Sequence, residues 1–299
     1  MALPTQLGSA SLLLIGSLLV ASRARAYCRT TTEQEQGSCP AVCDYSGTPL
    51  YWRSSAISYG FNERGFPGLS DAQLRTMIGA SFQTWEGVQC DGEGIGFRMT
   101  QLSGTTKLEQ GPQRASPGSD LPNEPNENVI VHYDAAAWAS LGYSSHAFAI
   151  TAVWFVKKGK NAGLISGADI GFNGGMDLYG DCAVDRCSNA GLKTDLQNVA
   201  THEIGHFLGL SHSDVARSTM SCDAQAQDTD KRSLETDDIA GICAAYPPAT
   251  AFADDRKGDG GCGVAPWRLR DPLSRAALGL LVGLLFVRRR KPPCRPSAW

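Results

Sequence analysis

The sequence predicts an α+β fold on three observations. Runs with strand character recur at 56–61, 96–102, 128–133, 147–156 and 164–172. Two stretches, 70–85 and 195–208, instead carry apolar residues at helical spacing. The second of these opens a run of chemically constrained positions, H-E-x-x-H-x-x-G-x-x-H, from His202 to His212.

Along the chain, 56–61 alternates as a first strand does. Residues 70–85 then place Leu74, Met77, Ile78 and Phe82 on one helical face, with Ser70 as N-cap. Between the strands at 96–102 and 128–133, residues 103–127 are rich in Gly, Pro, Ser and Asn, the composition of an exposed loop. The runs 147–156 and 164–172 read as a hairpin-like pair. Thr194-Asp195-Leu196-Gln197 forms a capping box, with Thr194 as N-cap, and predicts a helix over 195–208. Leu196, Val199, Ala200 and Phe207 would bury one face of it.

That helix carries the chemistry. Residues four apart share a helical face, so His202 and His206 can aim both imidazoles at one point. Glu203 sits about 100° further round, close enough to hold a water without ligating a metal. Gly209 can take the positive φ that ends a helix, and the turn brings His212 back as a third ligand. Three protein ligands with an open fourth position mark a catalytic rather than a structural zinc. The competing reading is a core helix with incidental histidines, and it gives no reason for five fixed positions in so short a run.

The motif resembles that of the metzincin metallopeptidases, matrixin-like branch. Ser218-Thr219-Met220 is similar to the Met-turn those enzymes place beneath the zinc, with Met220 as its methionine. Residues 234–242 resemble the last matrixin helix, and 168–173 a sheet strand, so the likeness covers about 50–247. It implies a twisted, mixed five-stranded sheet with an antiparallel edge strand around Ala149, Ile150 and Thr151, above an active-site helix. A substrate peptide would pair with that edge by main-chain hydrogen bonds.

The implied activity is zinc-dependent endopeptidase action on protein or peptide substrates. His202, His206 and His212 would hold one Zn2+, Glu203 would act as general base on a zinc-bound water, and Gly209 and Met220 would support the site. The alternative is a non-catalytic surface adhesin or binding module that keeps the fold, against which the intact Glu203 argues. A zinc esterase or amidase would share the same chemistry. The family's second zinc would need a histidine where Ile170 stands, so His132 and His146 are read as ordinary residues. Asp169, Asp177 and Asp181 border a loop, but no spacing resembles a Ca2+ loop. There is no Pro-Arg-Cys-Gly latch. The family-like layout suggests bridges Cys182–Cys187 and Cys222–Cys243, with Cys28, Cys39, Cys43 and Cys90 forming two more in an open pattern.

Composition agrees with an exported enzyme. The 299 residues are 42% hydrophobic with formal charge −3, and no basic excess points to nucleic acid. Ten cysteines without a C-x-x-C pair suggest disulfides in an oxidising compartment. Residues 1–26 read as a signal peptide, with an apolar stretch through Leu12 to Val20 and the cleavage site Ala24-Arg25-Ala26. A cysteine-containing segment, 27–48, precedes the catalytic region 49–248, and 249–263 is a linker. In 264–299 the apolar run 276–287 falls short of the about 20 residues of a full span, and Arg288, Arg289, Arg290 and Lys291 follow it. Cys262, the apolar run and the arginines resemble myxobacterial surface-sorting signals, which implies a transient membrane anchor. A permanent anchor is the other reading. The expected product is a monomer at the cell surface or outside the cell.

Overall fold

The computed structural model describes residues 27–33, 43, 46–110, 128–176, 178–185, 187 and 193–248. The chain divides into two compact units, Met1–Gly258 and Asp259–Trp299, and every described residue lies in the first. The expected signal peptide and C-terminal sorting segment fall outside the described residues. Among the described residues no helix is long and apolar enough to cross a membrane.

Strand β1 (Ala56–Asn62) leads into helix α1 (Asp71–Glu86), the ladder β2 (Gln89–Cys90) and β3 (Glu93–Gly94), and β4 (Arg98–Thr106). Strand β5 (Val129–Tyr133), short helix α2 (Ala135–Ser140), β6 (Ala149–Phe155) and β7 (Ile165–Asn173) follow. Next come β8 (Leu178–Gly180), α3 (Cys182–Asp185), β9 (Lys193–Asp195), α4 (Leu196–Phe207) and, after a long connection, α5 (Thr236–Ala245). The main sheet runs β4-β1-β5-β7-β6. Its first four strands are parallel, and β6 is the antiparallel edge, with Thr151 opposite Ile170. This is the mixed five-stranded sheet expected for an α+β metzincin.

Helices α1 and α4 pack together to make the core. Helix α1 buries Leu74, Met77, Ile78, Phe82 and Trp85, and Ser70 caps it in a full capping box with Gln73, as the sequence predicts. Leu196, Ala200, Ile204 and Phe207 of α4 are fully buried against it. Burial of each large apolar side chain contributes about 1.5–3 kcal/mol. Two indoles also bind α4 by hydrogen bonds: Trp85 Nε1 donates to the Thr201 carbonyl and Trp52 Nε1 to that of Phe207, each at 2.8 Å.

Three expectations are corrected. Strand β4 runs on to Thr106 through the predicted loop, because Thr105 and Thr106 pair with Phe61 and Asn62 beyond a register shift. The N-cap of α4 is Asp195, not Thr194. Thr194 is extended in β9 beside Tyr179, and Asp195 Oδ1 accepts the Asn198 N–H at 2.7 Å. Cys243 bonds Cys90 rather than Cys222, because α5 packs beside β2 and brings the two Cα atoms to 5.6 Å. Cys222 is disulfide-bonded elsewhere. Cys28–Cys43 and the expected Cys182–Cys187 complete the described bridges.

Candidate active site

Helix α4 presents His202 and His206 to a cleft of about 400 Å³ beneath edge strand β6. The helix ends at Gly209, whose φ of +89° is the left-handed conformation that reverses the chain. A Cβ there would also lie 2.8 Å from the Leu50 carbonyl oxygen, so both backbone and space require glycine. The returning chain is pinned by the N-terminal segment: Thr30 N–H donates to Gly209, and Ser211 N–H to Cys28. His212 thereby meets the other two histidines.

The three ring centroids lie 4.7 to 5.2 Å apart, and the nearest ligand nitrogens, Nε2 of His206 and of His212, are 3.3 Å apart. Two ligands of a tetrahedral zinc at about 2.1 Å would be separated by about 3.4 Å. Among the described residues this is the one His, Cys, Asp and Glu cluster able to hold a metal ion. Second contacts fix the tautomers. His202 Nδ1 faces the Thr219 carbonyl at 2.6 Å, and His206 Nδ1 the Leu210 carbonyl at 2.9 Å. A carbonyl only accepts, so each Nδ1 carries the proton and each Nε2 keeps its lone pair for a metal. Burial, the Lys231 charge and the neighbouring imidazoles hold the His202 pKa well below its usual value. Burial and His212 lower that of His206 to about 3, so both rings are neutral at pH 7. The donor set fits zinc.

Glu203 is 6% exposed at the cleft floor. Thr151, on the edge strand, donates its hydroxyl hydrogen bond to Glu203 Oε2 at 2.6 Å. Burial raises the carboxyl to about 7, against the opposing pull of that hydrogen bond and of Lys231.

Met220 lies directly under the metal helix. A Cβ on Gly205 would fall 2.1 Å from Met220 Sδ. The turn is held from α5 by the buried carboxylate of Asp238, which accepts the N–H groups of Thr219 at 2.7 Å, Met220 at 3.0 Å and Glu235 at 2.9 Å. At the other end of α4, Asp195 accepts from Asn198, from Cys182 N–H and from the Arg232 guanidinium, which also reaches Asp181 at 2.6 Å.

All six residues singled out from the sequence, His202, Glu203, His206, Gly209, His212 and Met220, therefore meet in one site. Sequence reasoning placed Thr151 on the edge strand and Thr219 in the Met-turn without giving either a role, and it missed Lys231 and Asp238. The one signal for Asp238 was the acidic pair Asp237-Asp238 at the start of a helix, which reads there as ordinary dipole compensation. His132 packs its ring on Phe66 and Tyr179, and His146 lines the cleft mouth. The candidate calcium residues have protein partners, Asp169 with Val129 N–H and Asp181 with Arg232, and Asp177 lies outside the described residues.

Comparison with known proteins bears on the same region. The matrixin family model matches residues 51–247. The chain belongs to the matrixin family. Matrixins are zinc-dependent endopeptidases, and the zinc motif, Met-turn and mixed sheet take their places within that assignment. Two curated matrixin relatives match shorter stretches. Metalloendoproteinase 1-MMP of Arabidopsis thaliana is 46% identical over 54 residues, 18% of this chain and 15% of its own length. Matrilysin of Rattus norvegicus is 52% identical over 48 residues, 16% of this chain and 18% of its own. The match thus spans less than a fifth of either relative.

Proposed function

We propose that this matrixin is a zinc endopeptidase in which His202, His206 and His212 hold the metal and Glu203 moves the proton. The observation that carries the reading is Glu203 itself: a buried carboxylate beside two convergent imidazoles, turned by Thr151 to face the cleft. Bound zinc would supply a Lewis acid and lower the pKa of water to about 7. The outer edge of β6 offers main-chain groups to an extended peptide and sets its carbonyl over the histidines. Glu203 takes the proton of the attacking water and returns it to the leaving amine. Thr151 keeps the carboxylate in place between these two transfers. The disulfides Cys28–Cys43, Cys90–Cys243 and Cys182–Cys187 support export, since such bridges persist in oxidising compartments.

The test is Glu203→Ala, assayed with a peptide library whose cuts are mapped by mass spectrometry while zinc content is measured separately. Hydrolysis should fall roughly 10²–10⁴-fold with zinc retained. A mutant with full zinc occupancy and wild-type turnover would refute the mechanism.

A further inference from the structure

Lys231 is a buried cation that the reaction above does not use. It is 6% exposed and lines the cleft together with Val199, His202, Cys222 and Ala224, with Ile150 of the edge strand, and with Phe148 just before that strand. Its position is rigid. Its backbone N–H donates to Asn198 Oδ1 at 2.8 Å, and its neighbour Arg232 is locked to Asp195 and Asp181.

An ammonium has three hydrogens to donate. One goes to the Ser221 carbonyl. The Nζ also lies 3.5 Å from His202 Nδ1, but that nitrogen's hydrogen points to the Thr219 carbonyl and gives the ammonium no acceptor. Among the described residues no carboxylate stands within ion-pairing distance of Lys231. The carboxylates of Glu203, Asp238, Asp223 and Asp228 act on it only from beyond that distance, and Glu203 is held by Thr151. Burying a charge without a counter-ion in contact costs several kcal/mol, so a cation kept in a substrate cleft has a use for a charge that arrives there.

We infer that Lys231 reads a carboxylate on the substrate, so that the cleft favours an acidic residue flanking the scissile bond. The inference rests on the peptidase reading and adds the substrate's charge to it. Phe148, Ile150 and Val199 offer apolar surface to the stem of a glutamate, and Lys231 meets its end. A free C-terminal carboxylate has the same chemistry and is separated from a side chain by the test.

The test uses two peptide series on the zinc-loaded protein, differing only in Glu, Gln or Leu at each position flanking the cut. One series ends in a C-terminal amide and the other in the free acid. In the amide series Glu should be preferred over Gln by roughly tenfold or more in kcat/KM, the scale of a charge-assisted hydrogen bond. Preference confined to the free-acid series would overturn the side-chain assignment. Lys231→Met should bring the Glu-to-Gln ratio close to one, and Lys231→Arg should keep it above one. A purely structural lysine would instead lower all peptides together and leave the ratio unchanged.

Two measurements do not depend on the variant folding. A wild-type ratio near one overturns the inference at once. A peptide with an active ester in place of the glutamate carboxyl should acylate Lys231, and labelling elsewhere would count against it. Binding of the Glu and Gln peptides to the Glu203→Ala protein separates the two readings. Cleavage without preference leaves the peptidase and removes the lysine's role. Preferential binding without any cleavage by the wild type does the reverse.

Discussion

Asp238→Asn tests how far the metal site depends on a residue that touches no ligand. Asp238 Oδ2 accepts the N–H groups of Thr219 and Glu235, and Oδ1 accepts that of Met220. Asparagine keeps the shape but replaces one oxygen with an NH2 group. If the amide oxygen serves Thr219 and Glu235, the NH2 faces the Met220 N–H, donor against donor. The flipped amide strands the other two. At least one buried N–H is orphaned, which costs about 1–3 kcal/mol. For a domain of this size that lowers Tm by roughly 2–12 °C. The Thr219 carbonyl orients His202 through Nδ1, so the same loosening should reach the metal. Loss of a partner that orients a ligand typically weakens metal binding about 10–100-fold, and one residue further out the lower end is expected. Thermal melts of the chelated protein give the first quantity, and competition with a chromophoric chelator gives the second. A variant that melts with the wild type and holds zinc equally well would refute the proposed chain from α5 through the Met-turn to His202.

Other outcomes follow from single contacts. Gly205→Ala should destabilise by about 1–3 kcal/mol in chemical denaturation, because its Cβ meets both Met220 Sδ at 2.1 Å and Trp85 at 3.0 Å; an unchanged midpoint would mean the turn yields freely. Non-reducing peptide mapping should pair Cys90 with Cys243, and replacing both by serine should cost about 2–5 kcal/mol; a Cys222–Cys243 peptide would contradict the fold beside α5. Burial acts to raise the Asp181 pKa, but the hydrogen bond and charge of Arg232 outweigh it and leave the pKa below the usual carboxylate range. A depressed folded pKa gives stability that is present above the unfolded value and lost as pH falls through the folded one. Asp181→Asn should therefore be less stable than the wild type at pH 7, with the gap closing below about pH 4. A gap that persists into acid would assign the effect to packing.

What the sequence reveals and what it hides divide by range. His202, Glu203, His206, Gly209 and His212 lie within three turns of chain, where helical periodicity and one positive φ decide which atoms meet, so their convergence is legible in the sequence alone. The ends of the same helix are not. Thr194 and Asp195 are both good caps, and the choice falls to Asp195 because the β9 ladder keeps the chain extended through Asp195 and the helix begins only at Leu196. The family-like layout pairs Cys243 with Cys222, and the structure pairs it with Cys90. The partner is decided by α5 packing next to β2, a contact across 153 residues that no local pattern encodes. Asp238 and Lys231 are the clearest cases, since each looks like a solvated charge on a surface helix or turn and each is almost fully buried. Their surroundings come from elements far away in sequence: Asp238 receives the Met-turn, and Lys231 faces a cleft whose other wall is β6. A buried charge has to be compensated, so its partners show what it is for. For Asp238 the partners are backbone N–H groups in the same chain, which makes it a strut of the metal site. Lys231 touches one carbonyl, feels its carboxylates only from a distance and faces an open cleft, so a contacting negative charge is what a substrate can bring.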